Sequence, residues 1–76
     1  MDSAVVFGRV LRRLRKTAGL TQEQLALEAG VERNYVSLIE RGINQPTVRV
    51  IFRLTAALGT TPSSMFGQVE DEMGAT

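Results

Sequence analysis

Residues Gln22–Gly42 read QEQLALEAGVERNYVSLIERG, and this stretch decides the fold. It holds two short helical patterns with a glycine between them. Thr21, just ahead of it, has the chemistry of an N-cap, and Gln24 three positions on completes a capping box. The first pattern runs from Gln22 to Ala29 and ends at Gly30, which takes a positive φ without Cβ strain. A turn at Gly30, Val31 and Glu32 leads into a second helix over about residues 33–41, closed by Gly42. The two helices would share a core of Leu25, Ala29, Val31, Val36 and Ile39. Ala26 falls where they approach most closely, and a larger side chain there would force them apart. A generic pair of helices does not need this whole set of apolar, small and glycine positions. Together they specify a helix-turn-helix.

Working outward, Phe7, Leu11, Leu14 and Ala18 recur at i, i+4, i+7 and i+11, one face of an amphipathic helix over Ser3–Ala18 that Gly19 ends. Downstream, Ile43–Pro46 reads as a loop, because proline restricts the residue before it to extended geometry. Thr47 caps a fourth helix with the stripe Val48, Ile51, Leu54, Thr55 and Leu58, closed by Gly59. Thr61 followed by Pro62 opens a fifth, short helix carrying Met65 and Phe66. No segment alternates as a strand would, and no hairpin turn signal is present. The expected fold is all-α, a compact bundle of five helices with the helix-turn-helix at helices 2 and 3. Residues 1–67 form the domain. Residues 68–76, polar and acidic, are expected to be a flexible tail.

Composition narrows the function. A chain of 76 residues buries only about 60% of its unfolded surface, so its stability margin is thin. It has no Cys, hence no disulfide or thiolate metal site, and no His, the commonest general base and zinc ligand. No apolar run approaches the roughly 20 residues a membrane span needs, and the N-terminus lacks the pattern of a signal peptide. A cytoplasmic protein, without membrane partner, cofactor or metal, is the expectation. Charge is uneven. Nine bases and five acids in residues 1–53 leave that part at +4, while the three acids after it, Glu70, Asp71 and Glu72, give −3. One reading is ordinary solvated charge. The other is a basic body that meets polyanion, with an acidic tail held away from it.

The runs RLRKTAGLTQEQLALEAGV, YVSLIERG and QPTVRVIFRLTAALG closely resemble the lambda-repressor/Cro-like, or xenobiotic-response-element, family of DNA-binding domains. The likeness spans about Phe7 to Phe66. It implies a five-helix domain whose third helix enters the major groove of double-stranded DNA. At about 100° per residue, Asn34, Ser37, Leu38 and Arg41 point away from the Val36 and Ile39 face, with Arg33, Tyr35 and Glu40 at the flanks. The first turn of such a helix reaches base edges. Arg33 suits guanine O6 and N7, and Asn34 suits adenine N6 and N7. Ser37 can bond a base or a phosphate, and Leu38 can meet a thymine methyl. Thr21 and Gln22 stand at a helix N-terminus that favours phosphate; Tyr35, Asn44 and Gln45 are further phosphate contacts. Arg9, Arg12 and Arg13 read as general surface. In the family, the residue matching Gln22 touches the DNA backbone or braces the recognition helix. The residues matching Arg15 and Glu40 often form a partly buried ion pair joining helices 1 and 3.

The resemblance further implies a homodimer on a pseudo-palindromic operator, its two recognition helices one turn, about 34 Å, apart. Val50, Phe52, Met65, Phe66, Val69 and Met73 offer more apolar surface than a small core obviously absorbs. The expected dimer surface is therefore the C-terminal helices, at Phe52, Met65, Phe66 and Val69. Bound at its operator, the protein would regulate transcription by occupancy, either blocking RNA polymerase or touching it alongside. Small stand-alone members of the family include phage repressors and restriction–modification controller proteins. A protein-interaction module, such as an antitoxin or adaptor on the same fold, is the competing expectation. The basic, base-competent front of the third helix favours DNA over it. Catalysis has no His, Cys, phosphate-binding loop or carboxylate cluster to work with, so an enzyme is not expected.

Overall fold

The computed structural model describes residues 2–74; residues 1, 75 and 76, at the outer ends of the expected segments 1–67 and 68–76, lie outside it. Five helices follow one another: α1 (Ser3–Thr17), α2 (Gln22–Ala29), α3 (Arg33–Glu40), α4 (Val48–Leu58) and α5 (Pro62–Gly74). No strand occurs among the described residues. Local chemistry sets most of the boundaries. Asp2, Thr21 and Thr47 each accept a backbone N–H of the helix they open, and Thr21 and Gln24 form a reciprocal capping box. At the break between α2 and α3, Gly30 sits at φ 71°, and the Val31 N–H reaches back to the Ala26 carbonyl.

α1 packs against α3 and α5, while α2 packs against α3 and α4. The core between them takes Val6, Val10 and Leu11 from α1, Leu25 from α2, Val36 and Ile39 from α3, Leu54 from α4 and Met65 from α5, all fully buried. Thr55 is the one polar neutral side chain among them. Its hydroxyl donates to the Ile51 carbonyl one turn back, so its burial leaves no unsatisfied donor. α3 is thus backed by α1 and α2, and its opposite side is left uncovered.

Two expectations change at the C-terminal end. The helix carrying Met65 and Phe66 does not stop near residue 67 but runs to Gly74. The cause is tertiary. Val69 is buried in the core, the Arg13 guanidinium donates to Gln68 Oε1 at 2.9 Å and Glu72 Oε2 at 3.1 Å, and Glu72 also lies 3.8 Å from Arg9. The acidic segment is therefore laid on the basic face of α1 and not held away from it. Second, Met65 and Val69 cannot line a dimer surface, because their exposures are 0% and 5%. Packing α5 across α1 gives both of them a place in this protomer's own core. Of the four residues expected at that surface, Phe52 and Phe66 remain exposed, at 60% and 41%. Phe66 also meets Phe7, with ring centroids 5.6 Å apart.

Candidate nucleic-acid interface

The front of α3 opens on Glu32, whose side chain makes no capping bond. The first N–H groups of the helix therefore keep their donors for an outside partner. Arg33 and Asn34 follow, both exposed, and neither side chain makes a hydrogen bond or ion pair among the described residues. Other arginines are committed elsewhere, as Arg13 is to α5 and Arg15 to α3. Ser37 and Leu38, one turn further on, are half-buried. The wheel alone would place Leu38 outward; its carbonyl accepts the N–H groups of Ile43 and Asn44, which cap the end of α3. Tyr35 is half-buried and packs against the core.

Behind α3 lies a polar network. Arg15 Nε donates to Glu40 Oε2 at 2.7 Å and its Nη2 to Glu40 Oε1 at 3.0 Å, a bidentate pair. The remaining Nη1 donates to the Leu20 carbonyl at 2.9 Å. Gln22 Nε2 adds a donor to Glu40 Oε1 at 3.1 Å. The side chains of the ion pair are only 10% and 3% exposed. The network is fully satisfied, since no buried side-chain N or O among the described residues lacks a partner. It ties α1, the loop before α2, α2 itself and the last residue of α3 into one unit. Leu20 enters it through its carbonyl, which no pattern of side chains in the sequence marks.

Of the residues expected at phosphates, Tyr35 lies within α3 and the other four fall into two groups. Thr21 and Gln22, with the base candidate Arg33, line one shallow recess at the N-terminus of α2. Thr21 is exposed although its hydroxyl caps the helix, and one N–H of Gln22 is taken by Glu40. Asn44, half-buried, and Gln45, exposed, follow the C-terminal end of α3, on the wall of an apolar cleft that reaches Phe7 and Phe66. Gln22 reaches the last residue of α3 through its bond to Glu40, yet Asn44 and Gln45 line a different cleft from the recess of Thr21 and Gln22. Among the described residues no group of acidic side chains is placed to hold a metal ion, and no helix is long and apolar enough to cross a membrane.

Comparison with known proteins agrees with this arrangement. Over residues 6–65 the sequence matches the family described as a helix-turn-helix domain. An HTH-type transcriptional regulator of Sinorhizobium fredii, y4dJ, itself uncharacterized, is 39% identical over 61 residues, spanning 80% of this chain and 79% of that protein. Control protein C.MunI of a Mycoplasma species is 35% identical over 72 residues, 93% of this chain and 97% of its own length. Among solved structures, the restriction-modification controller protein C.AhdI from Aeromonas hydrophila superimposes with a TM-score of 0.81 at 41% identity, over 83% of this chain and 96% of that one. With five helices, the second and third joined by a glycine turn and the third anchored from behind, the chain belongs to the lambda-repressor/Cro-like helix-turn-helix family of DNA-binding transcriptional regulators.

Proposed function

We propose that the protein binds a pseudo-palindromic operator as a homodimer, with α3 in the major groove, and acts as the controller of a restriction–modification system. One observation carries the DNA reading. Arg33 and Asn34 are exposed and uncommitted at the front of a helix whose far end is locked by the Arg15–Glu40–Gln22 network. Free donors on a rigid support are what bidentate reading of guanine and adenine requires. In this reading Thr21 and Gln22 at the start of α2, Tyr35, and Asn44 and Gln45 after α3 contact phosphates and fix the register of α3 on the duplex without reading sequence. Arg33 and Asn34 read bases, Ser37 serves base or phosphate, and half-buried Leu38 offers at most its edge to a thymine methyl.

The dimer surface needs apolar area left outside the core. Val48 and Phe52 stand one turn apart on the outer side of α4, 71% and 60% exposed, and Phe66 lies on α5. These replace Met65 and Val69 in the proposed contact. The controller role rests on the names of relatives that match at nearly full length, C.MunI and C.AhdI. Bound at its own operator, the protein would block RNA polymerase or touch it from an adjacent site.

Selection of binding sites from random duplex DNA tests the reading. The expected result is a palindrome with half-sites one helical turn apart, and an affinity that falls steeply with salt. Arg33→Ala should then relax one operator position by about 1–3 kcal/mol while leaving the melting temperature unchanged. Weak, salt-sensitive binding without enrichment refutes the proposal, as does a strict monomer in sedimentation at micromolar concentration with DNA present.

A further inference from the structure

α1 meets the recognition helix at two places. One is the Arg15–Glu40 pair; the other is Gly8. Gly8 is buried in the middle of α1. Its backbone does not call for glycine, since the positive-φ residues among the described ones are Gly19, Gly30, Gly42 and Gly59. What it supplies is space. A Cβ at position 8 would lie 2.3 Å from the Ile39 carbonyl oxygen and 2.7 Å from that of Glu40. Both are backbone atoms of the last turn of α3, which cannot step aside as a side chain would. Next to them, a Cβ at Gly42 would come within 2.9 Å of Val5 Cγ2 and 3.0 Å of Val5 Cα. At Gly8 the backbone of α1 and the last turn of α3 touch along a seam with no side chain between them. Gly8 and Arg15 are two turns apart on one face of α1, about 10.5 Å along its axis. The ion pair restrains α3 by its side chain, and the glycine restrains it by its backbone.

We propose that Gly8 is a positioning residue for DNA recognition. It sets how deeply the C-terminal end of α3 seats on α1, and so where Arg33 and Asn34 stand relative to the base edges. The proposal rests on the operator-binding reading above. An ordinary carbon-to-carbonyl-oxygen contact is about 3.3 Å, so a methyl at position 8, otherwise at 2.3 Å, must drive the end of α3 outward by about 1 Å. Base-reading constellations tolerate roughly 0.5 Å. Attraction to the phosphate backbone depends on charge and tolerates such a shift. The predicted signature is a loss of specificity rather than a uniform loss of binding.

The test compares wild type, Gly8→Ala and Val69→Ala. Each is titrated against the selected operator and a scrambled duplex at one salt concentration, with the folded fraction fixed by circular dichroism. Val69 packs from α5, which lies against α1 and α4, so its truncation loosens the core without touching the seam. Val69→Ala should keep the operator-to-scrambled affinity ratio within about twofold, whereas Gly8→Ala should lower it at least tenfold, the scale of one lost base contact. If Gly8→Ala is unfolded in buffer, the titration is repeated in sucrose, which restores compact states without supplying contacts. A ratio equal to wild type, or a chain that stays unfolded even in sucrose, assigns Gly8 to folding alone and overturns the proposal. Failure of the wild type to prefer its selected operator instead refutes the operator-binding reading itself.

Discussion

Replacing Arg15 by Met, Glu40 by Leu, and then both, separates two accounts of what holds α3 in place. If the pair behaved as a surface salt bridge, each single change would cost no more than about 1 kcal/mol. The geometry argues for the other scale. The side chains are 10% and 3% exposed, and Arg15 Nε lies 2.7 Å from Glu40 Oε2. With Arg15→Met, the Glu40 carboxylate stays buried with the Gln22 amide as its remaining side-chain donor. With Glu40→Leu, the guanidinium keeps only the Leu20 carbonyl. Stranding one buried charge costs about 3–5 kcal/mol. A chain of this length has about 4–11 kcal/mol of stability in all. Either single variant should therefore lose a large share of it, with a fall in melting temperature of roughly 12–40 °C. The double variant strands neither charge, and apolar replacement of a whole buried pair is often close to neutral. It should lie within about 2 kcal/mol of wild type, giving a coupling of at least about 4 kcal/mol. Urea unfolding followed by circular dichroism measures all three, with an unchanged m-value guarding the comparison. Singles that cost under about 1 kcal/mol, or a double equal to their sum, would refute the buried-pair account.

Three further expectations follow from the fold. Thr21→Ala removes the side-chain acceptor of the capping box and should lower stability by about 0.5–2 kcal/mol in a thermal melt, with Thr21→Ser restoring most of it. Met65→Ala empties a fully buried site and should cost about 2–5 kcal/mol, whereas exposed Phe52→Ala should barely move the monomer's stability and instead shift association measured by sedimentation. A chain ended after Gly67 loses Val69 from the core and the partners of Arg13, so it should unfold at markedly lower urea; an unchanged midpoint would restore the reading of residues 68–74 as a loose tail.

The sequence announced most strongly what is decided within a few residues. Thr21 with Gln24, Thr47, and the glycines at 30, 42 and 59 act on their immediate neighbours, so their spacing carries the helix ends. The helix-turn-helix core is readable for the same reason, since Leu25 and Ile39 belong to adjacent helices. What escaped was decided across the chain. Residues 68–74 are dominated by charge and read as solvated, yet their partners Arg9 and Arg13 lie more than fifty positions away. An apolar residue at a helical spacing does not say whether it meets this chain or another copy, so Met65 and Val69 were grouped with Phe52. No local pattern singles out Gly8; its reason is the carbonyl of Ile39 on another helix. Within the candidate interface, the wheel placed exposed Asn34 outward and Arg33 at the flank, but it did not foretell the half-burial of Ser37 and Leu38.

The antiparallel pairing of α1 with α5 has a consequence for how the molecule comes together. Arg13 reaches Gln68 and Arg9 reaches Glu72, so the first and last helices run past each other in opposite directions, and contacts span 55 to 63 positions. By contrast, Gln22 and Glu40 close over 18. The extra loop entropy of the longer closure is only about 1 kcal/mol, because it grows with the logarithm of length. Yet α1 carries the buried guanidinium and the glycine seam that seat the recognition helix. The helix that seats α3 on one side is therefore itself held by α5 on another. The support of the reader thus extends beyond the helix-turn-helix itself, and a perturbation that peels α5 away is expected to loosen the reading surface through α1.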